Sequence, residues 1–301
     1  MEYDRPNRRE FIAKTGAWAV SAALGTKAVA AEKQRTQSST PNAEKMGWRL
    51  ACQLYTFRNR SFYEALDAIA ALGIRNVESC FFLKLDHKRP KLKTNESLSP
   101  NLRRELKSRL ADRGMRMTNY YAALDADSSV FRKIFDFAKE MGVETLVAEP
   151  SIEVFDALEQ LCDEYKINLA IHNHTQSPKS KYWRPENVLQ VCQGRSRHIG
   201  ACPDIGHWVR SGLDPVESLS KLKGRIITLH LKDVAEAGNL KARDVPLGMG
   251  KANYANILKH LGAQGFQGVM TIEYEHLSEK LVQDVAKSLK FVEDVATSLQ
   301  G

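Results

Sequence analysis

The sequence has no long apolar run after its first thirty residues, and its five cysteines form no Cys-x-x-Cys pair. A membrane helix needs about 20 consecutive apolar residues, so no span is expected in the mature chain. The odd, irregularly spaced cysteines favour buried free thiols over a disulfide framework or a zinc–thiolate site. Basic residues are not interleaved with aromatic ones as single-strand nucleic-acid binding requires, which disfavours a nucleic-acid partner.

The composition is that of an ordinary globular chain. Of 301 residues, 43% are hydrophobic and 27% are charged, which is close to the average and fits one large domain or two small ones. The net charge of +8 comes from 44 basic and 36 acidic residues. Residues 1–30 hold five of the basic and three of the acidic residues, so the rest of the chain carries +6.

The first thirty residues have the features of a targeting segment. Arg8 and Arg9 precede Phe11 and Lys14, a weakly apolar run follows, and residues 28–30 read Ala-Val-Ala. This segment resembles a twin-arginine export signal, although an ordinary basic amphipathic N-terminus is the alternative. The resemblance implies a periplasmic or cell-envelope protein that carries a cofactor. Residues 31–47 are polar and are predicted to be a linker.

From residue 48 to the end, short apolar segments alternate with amphipathic ones. The predicted strands are 50–55, 74–80, 116–121, 145–149, 168–173, 198–204, 226–231 and 268–274. The predicted helices are 62–72, 100–113, 128–141, 152–165, 185–192, 215–221, 252–261 and 278–299. Eight alternating pairs predict a single (β/α)₈ TIM barrel over residues 48–301, since a doubly wound sheet usually has five or six strands.

The later predicted strands end in titratable residues, most of them of the types that bind metals. The set is Glu149 after strand four, His172 and His174 on strand five, Asp204 and His207 on strand six, His230 and Lys232 on strand seven, and Glu273 on strand eight. The carboxyl ends of barrel strands meet at one face, and buried charges there are costly unless they are paired or metal-bound. The sequence therefore predicts one divalent metal site. Imidazole and carboxylate ligands favour Mn²⁺, Zn²⁺, Co²⁺ or Fe²⁺ over Ca²⁺ or Mg²⁺.

At these residues the chain resembles the xylose isomerase-like barrel family, which includes ketose 3-epimerases, hydroxypyruvate isomerase, inosose dehydratase and endonuclease IV-type enzymes. The family's ligands are an acid on strand five, Asp on six, His on seven and Glu on eight. The resemblance implies a metal held by position 172, Asp204, His230 and Glu273. Position 172 is His where epimerases have Glu, and inosose dehydratase-like proteins have similar His-rich strand-five ends.

The resemblance also implies catalytic roles. Glu273 would ligate the metal and remove the α-proton of the substrate, and Glu149 or His172 would act on the opposite face. For Glu149 the alternative is a helix-start carboxylate. Lys232 would polarise or protonate a developing oxyanion, or else would be an ion-pair partner of Glu275 or Asp233. Dimers and tetramers are common in the resembled family, which leaves a homo-oligomer open.

Four residues are candidates for substrate binding. His174 ends strand five, and His207 contacts the substrate or orients Asp204. Arg243, like the basic loop 84–93, would hold a phosphate or uronate, or would be a solvated surface charge. Trp208 would stack on a sugar ring or cover the barrel.

The predicted function is a metal-dependent isomerase or epimerase that acts on a keto-sugar or sugar derivative. It would proceed by α-proton abstraction and a metal-stabilised ene-diolate. A dehydratase or keto-glycoside lyase that uses the same site is the alternative, and a non-catalytic exported sugar-binding barrel is a third hypothesis.

Overall fold

Eight parallel strands form the central sheet in the computed structural model, which describes residues 38–125 and 127–301. They are β1 (Trp48–Gln53), β2 (Asn76–Cys80), β3 (Arg116–Tyr121), β4 (Thr145–Ala148), β5 (Asn168–His172), β6 (Ile199–Cys202), β7 (Thr228–Leu231) and β8 (Gly268–Ile272). The spatial order is β6-β5-β4-β3-β2-β1-β8-β7. Parallel bridges from Ala201 to Ile226 and from Asp204 to His230 join β6 to β7. The predicted TIM barrel is confirmed.

Helices connect the strands. In the described part of the chain they are α1 (Pro41–Lys45), α2 (Phe62–Ala71), α3 (Pro100–Ala111), α4 (Phe131–Met141), α5 (Phe155–Tyr165), α6 (Pro185–Cys192), α7 (Ile205–Arg210), α8 (Pro215–Lys221), α9 (Tyr254–Ala263) and α10 (Leu281–Ser298). Local sequence sets their ends. The Asp214 side chain accepts a hydrogen bond from the Glu217 N–H at the start of α8, and Gly142 takes the left-handed conformation after α4, at φ 77°.

The short helix α1 lies in the segment that was expected to be a linker. The Glu293 carboxylate on α10 accepts hydrogen bonds from the backbone N–H groups of Asn42 and Ala43, at 2.8 and 3.0 Å. A carboxylate at the N-terminus of a helix satisfies its free N–H groups, and Ala43 is buried. This tertiary contact stabilises a helix that has no periodic sequence pattern. The predicted export signal, residues 1–30, lies outside the described residues.

Two further elements at the carboxyl end of the barrel differ from the prediction. Strand β6 leads directly into α7, because the Asp204 side chain accepts a hydrogen bond from the His207 N–H at 2.9 Å and caps the helix. After β7, Asp233–Val234 pairs antiparallel with Asp244–Val245. The Asp233 carboxylate accepts backbone hydrogen bonds from residues 234, 248, 250 and 252, and these fix the long loop after β7.

The main hydrophobic core lies between the strands and the surrounding helices. All five cysteines are buried free thiols, as predicted. Among the described residues, no helix is both long and apolar enough to cross a membrane.

Candidate functional site

A cavity of about 550 Å³ opens at the carboxyl ends of the strands. Six of the eight strands contribute lining side chains, either from the strand itself or from the residue that follows it: Gln53, Cys80, Tyr121, Glu149, His172 and Glu273. Barrel enzymes place their active sites at this face. The fold therefore brings the polar ends of distant strands to one chamber.

Four buried residues converge at the base of this cavity, each with one donor atom within 4.8 Å of the others: His172, Asp204, His230 and Glu273. His230 Nδ1 lies 3.1 Å from Glu273 Oε2 and 4.0 Å from Asp204 Oδ2. His172 Nε2 lies 3.7 Å from the same Asp204 oxygen. The four residues that sequence reasoning assigned to a metal are thus brought together.

Two of these donor atoms are buried without a hydrogen-bond partner, namely His172 Nε2 and Asp204 Oδ2. Lys232 Nζ lies 3.0 Å from that oxygen as an ion-pair contact, but without the geometry of a hydrogen bond. An unsatisfied buried polar group costs about 1–3 kcal/mol, so such a pair calls for a ligand. Two imidazoles and two carboxylates are donors that Mn²⁺, Zn²⁺, Co²⁺ and Fe²⁺ accept. The residues present fit a divalent metal ion.

Both candidate histidine ligands are oriented by a carboxylate on their other ring nitrogen. His172 Nδ1 lies 3.1 Å from Glu149 Oε1, and His230 Nε2 lies 2.9 Å from Glu78 Oε1. A carboxylate in this position fixes the ring tautomer and raises the basicity of the ligating nitrogen. The second ring nitrogen of each imidazole therefore faces the other donors.

Lys232 lies buried between three carboxylates. Its Nζ is 3.0 Å from Glu273 Oε2, 3.0 Å from Asp204 Oδ2 and 3.3 Å from Glu275 Oε1. Its aliphatic stem packs on Gly206, where an added Cβ would lie 2.6 Å from Lys232 Cγ. Of the two ion-pair partners considered from the sequence, the contact is with Glu275, because Asp233 is occupied by backbone N–H groups.

The charged groups at the centre stabilise one another in their ionised forms. Burial alone would raise the pKa of Asp204 and of Glu273, but neighbouring positive charges, Lys232 among them, lower both below their ordinary values. Burial opposes the charge on Lys232, and the surrounding carboxylates raise its pKa well above the ordinary value. The carboxylate donors are therefore ionised at neutral pH, as metal binding requires.

A second group of titratable side chains lies on the cavity wall. Glu149 Oε1 accepts hydrogen bonds from Tyr121 Oη at 3.1 Å and from the Nδ1 atoms of His172 and His174. Burial opposes ionisation of Glu149, but the two histidines outweigh it and lower its pKa below the ordinary value. Glu149, which directly follows β4, is thus an ionised carboxylate that faces the cavity.

His207 lies on the Lys232 side of the centre, with its Nε2 3.4 Å from Lys232 Nζ and 3.8 Å from Asp204 Oδ2. Its Nδ1 contacts Thr175 Oγ1 at 2.6 Å. Burial lowers the pKa of His207 well below its ordinary value, so the ring is neutral.

Of the predicted substrate-binding residues, His174 lines the main cavity, and His207, Trp208 and Arg243 do not. Trp208 is buried in the hydrophobic core at 1% exposure, so stacking on a substrate would require it to leave that packing. Arg243 lines an adjoining cavity. In the basic loop after β2, Arg89 pairs with Asp86 and Glu105, which neutralises part of its charge.

A sequence model described as the xylose isomerase-like TIM barrel matches residues 66–295. The chain belongs to this family. The family is a superfamily of sugar isomerases, epimerases and dehydratases. In this chain the barrel carries a buried candidate metal site.

Individual relatives share about a third of their residues with this chain, or fewer. An uncharacterized protein from Parabacteroides distasonis ATCC 8503 is 31% identical, with a TM-score of 0.66 over 82% of this chain and 99% of that one. A D-tagatose 3-epimerase-like protein has the same TM-score at 17% identity, over 84% and 100% of the two chains, which shows the shared fold. The rhizopine catabolism protein MocC of Rhizobium meliloti is 29% identical over 126 residues. That match spans only 37% of this chain and 38% of MocC.

Sequence reasoning missed Glu78, which has no exposed surface inside the xylose isomerase-like barrel. It contacts His230, Gln53 Nε2 at 3.0 Å and Asn119 Nδ2 at 3.3 Å. An acidic residue in the middle of a short predicted strand, between Val77 and Cys80, is a signal that could have found it. Glu78 does not line the cavity, and its contact with His230 Nε2 places it behind a candidate metal ligand.

We expect Glu78→Gln to weaken metal binding by about 10- to 100-fold, the usual effect of losing an outer carboxylate behind a histidine ligand. Glutamine keeps the size and a hydrogen-bond acceptor but removes the charge that raises the basicity of His230. Competition titration with a chromogenic chelator would measure the affinity for Mn²⁺ and Zn²⁺. Glu96→Gln, in the loop after the same strand, is the control. Equal affinities in the Glu78→Gln variant and the wild type would contradict a positioning role.

Proposed function

We propose that the protein is a metal-dependent isomerase or epimerase that acts on a keto-sugar or sugar derivative by abstracting an α-proton. The observation that carries this proposal is the convergence of the four donor residues, two of them with unpartnered buried atoms, beside a cavity that holds a further ionised carboxylate. Binding alone would not require both a cation site and a second acid–base group.

His172, Asp204, His230 and Glu273 would hold the ion. When bound, a divalent ion would supply Lewis-acid polarisation of a substrate carbonyl. The remaining chemistry belongs to side chains of the chain itself.

Glu273 is the proposed general base for the first proton transfer. It lines the cavity, while Lys232 and His230 hold its Oε2 atom at 3.0 and 3.1 Å. Its lowered pKa keeps it in the ionised form, which is the protonation state that a general base needs before the transfer. Lys232, fully protonated and adjacent, would stabilise negative charge that develops on a substrate oxygen.

Glu149 is the proposed acid–base group for the opposite face of the substrate. Between Glu149 and His172, the two candidates for this role, Glu149 is favoured because both ring nitrogens of His172 are directed at other groups. His174, whose side chain is half exposed, contacts Glu149 and offers a route by which the proton can exchange with solvent. His174 and His207 are the proposed contacts to substrate hydroxyl groups.

Deuterium exchange tests this proposal directly. Protein loaded with Mn²⁺ or Zn²⁺ and incubated in D₂O with D-fructose, D-tagatose or L-sorbose is expected to place one deuterium at the α-carbon of at least one sugar. The product should be an isomer, with no loss of mass as water. Chelator-treated protein is the control. Absence of exchange for keto-sugars and keto-sugar acids with every metal would reject the proposal.

Elimination at the same centre is the second candidate function. It is favoured by the replacement of a strand-five carboxylate by His172, together with the contact between His174 and Glu149. That pair could protonate a leaving hydroxyl or glycoside oxygen after the α-proton is removed. Mass spectrometry separates the two reactions, because a dehydration product is lighter by one water and a lyase product lacks the aglycone.

A further inference from the structure

A second cavity, of about 300 Å³, adjoins the main one and shares Tyr55 and Glu275 with it. Its other lining residues are Arg58, Arg210, Arg243, Asp244 and His276. Three guanidinium groups therefore face one small chamber beside the candidate active site. Such a concentration of arginine beside an enzyme cavity is typical of sites that bind carboxylate or phosphate groups.

The two carboxylates of this chamber are already engaged. The side chain of Asp244 pairs with Arg210 Nη2 and accepts a hydrogen bond from the Glu275 N–H at 2.6 Å. Glu275 Oε1 lies 3.3 Å from Lys232 Nζ. Asp244 therefore neutralises Arg210. Glu275 has its other oxygen 3.9 Å from Arg210 Nη1 and shares Lys232 with Asp204 and Glu273, so it keeps its negative charge at the chamber wall.

Arg58 is held in place without a carboxylate. Its Nη2 donates to the Glu275 backbone carbonyl at 2.6 Å, and its guanidinium lies 4.7 Å from the centre of the Tyr55 ring. Arg243 is exposed and lines the chamber. These contacts aim two guanidinium groups at the chamber while leaving donor capacity for a ligand.

We propose that this chamber binds the carboxylate of a keto-sugar acid whose carbonyl end lies in the main cavity. The inference rests on the proposed function, because it names the substrate class of that site. Three arginines and two carboxylates leave one net positive charge, which matches a monoanionic carboxylate. A dianionic phosphate would leave negative charge beside Asp244 and Glu275.

The two cavities are close enough for one sugar to reach both. Lys232 Nζ contacts Glu273 Oε2 of the candidate metal centre at 3.0 Å and Glu275 Oε1 of the shared wall at 3.3 Å. The same ammonium group therefore contacts Glu273, at the metal centre, and Glu275, on the wall that the two cavities share. In the proposed pose the carbonyl lies near Glu273 and the far end of a six-carbon chain lies past Glu275, near Arg243 and Arg58, whose Nη2 is 2.6 Å from the Glu275 carbonyl oxygen.

A matched pair of sugars tests the proposal. L-sorbose and 5-keto-D-gluconate differ only in a terminal CH₂OH that is a carboxylate in the acid. Calorimetry on metal-loaded protein should show the acid binding about 10- to 100-fold more tightly, the range expected for hydrogen bonds to a charged group. Arg243→Gln should remove most of this preference by weakening the binding of the acid. Arg58→Gln, the second variant, should reduce the preference as well.

Arg60→Gln is the matched control, since Arg60 is exposed and its guanidinium lies over Phe57 instead of the chamber. Equal affinity for the two sugars, undetectable binding of the acid, or an unchanged preference in both arginine variants would overturn the proposal. Tighter binding of D-fructose 6-phosphate than of the acid would overturn it too. Deuterium exchange is read separately: acid preference without exchange rejects the proposed function alone, and exchange without acid preference rejects this inference alone.

Discussion

Glu273→Gln is expected to lower α-proton exchange by at least about 10³-fold while the barrel stays folded. Glutamine cannot accept the proton, and loss of a general base alone costs about 10²- to 10⁴-fold. The substitution also removes one of the four donors of the candidate metal centre, so metal content should fall. The measurements are deuterium incorporation into the sugar and metal analysis of the purified variant.

Glu279→Gln is the control for this experiment, because Glu279 is an exposed residue of the same loop that follows β8. It should match the wild type in exchange rate and metal content. Thermal unfolding of both variants separates loss of chemistry from loss of fold. Wild-type exchange together with wild-type metal content in the Glu273→Gln variant would contradict both roles assigned to Glu273.

The sequence predicted the barrel because local patterns determine it. Short apolar segments alternate with amphipathic ones, and in a parallel barrel every strand presents the same end to one face. Residues at predicted strand ends therefore had to meet, whatever their distance along the chain. This rule placed His172, Asp204, His230 and Glu273 among the candidates at that face, and the family resemblance implied that these four are the ligands. They lie together in the structure.

Other features depend on packing that a local pattern does not encode. Glu78 reaches His230, 152 residues later, because β2 and β7 face each other across the barrel interior. The helix α1 depends on Glu293, about 250 residues away. Trp208 follows a strand end, but α7 turns it into the core. In each case a tertiary contact decides the outcome over the local sequence.

Lys232→Met is expected to destabilise the metal-free protein by about 3–5 kcal/mol, the cost of breaking a buried ion pair by removing one partner. Methionine retains the stem that packs on Gly206 but removes the ammonium that contacts Asp204, Glu273 and Glu275. These carboxylates would then repel one another in a buried site. Urea unfolding in the presence of a chelator measures the loss.

A divalent ion should reverse much of this loss, because it places positive charge between the same two carboxylates, Asp204 and Glu273. The variant should therefore gain more stability from saturating Mn²⁺ or Zn²⁺ than the wild type does, since a ligand stabilises the state that binds it. Lys290→Met removes a lysine that pairs with Asp294 on the surface of α10 and should change stability by less than about 1 kcal/mol. A loss in Lys232→Met no larger than in this control would show that the ammonium does not balance the centre. If Lys232→Met loses much stability and a saturating divalent ion restores none of it, the ion does not bind between the carboxylates that Lys232 contacts, which would contradict the proposed metal site.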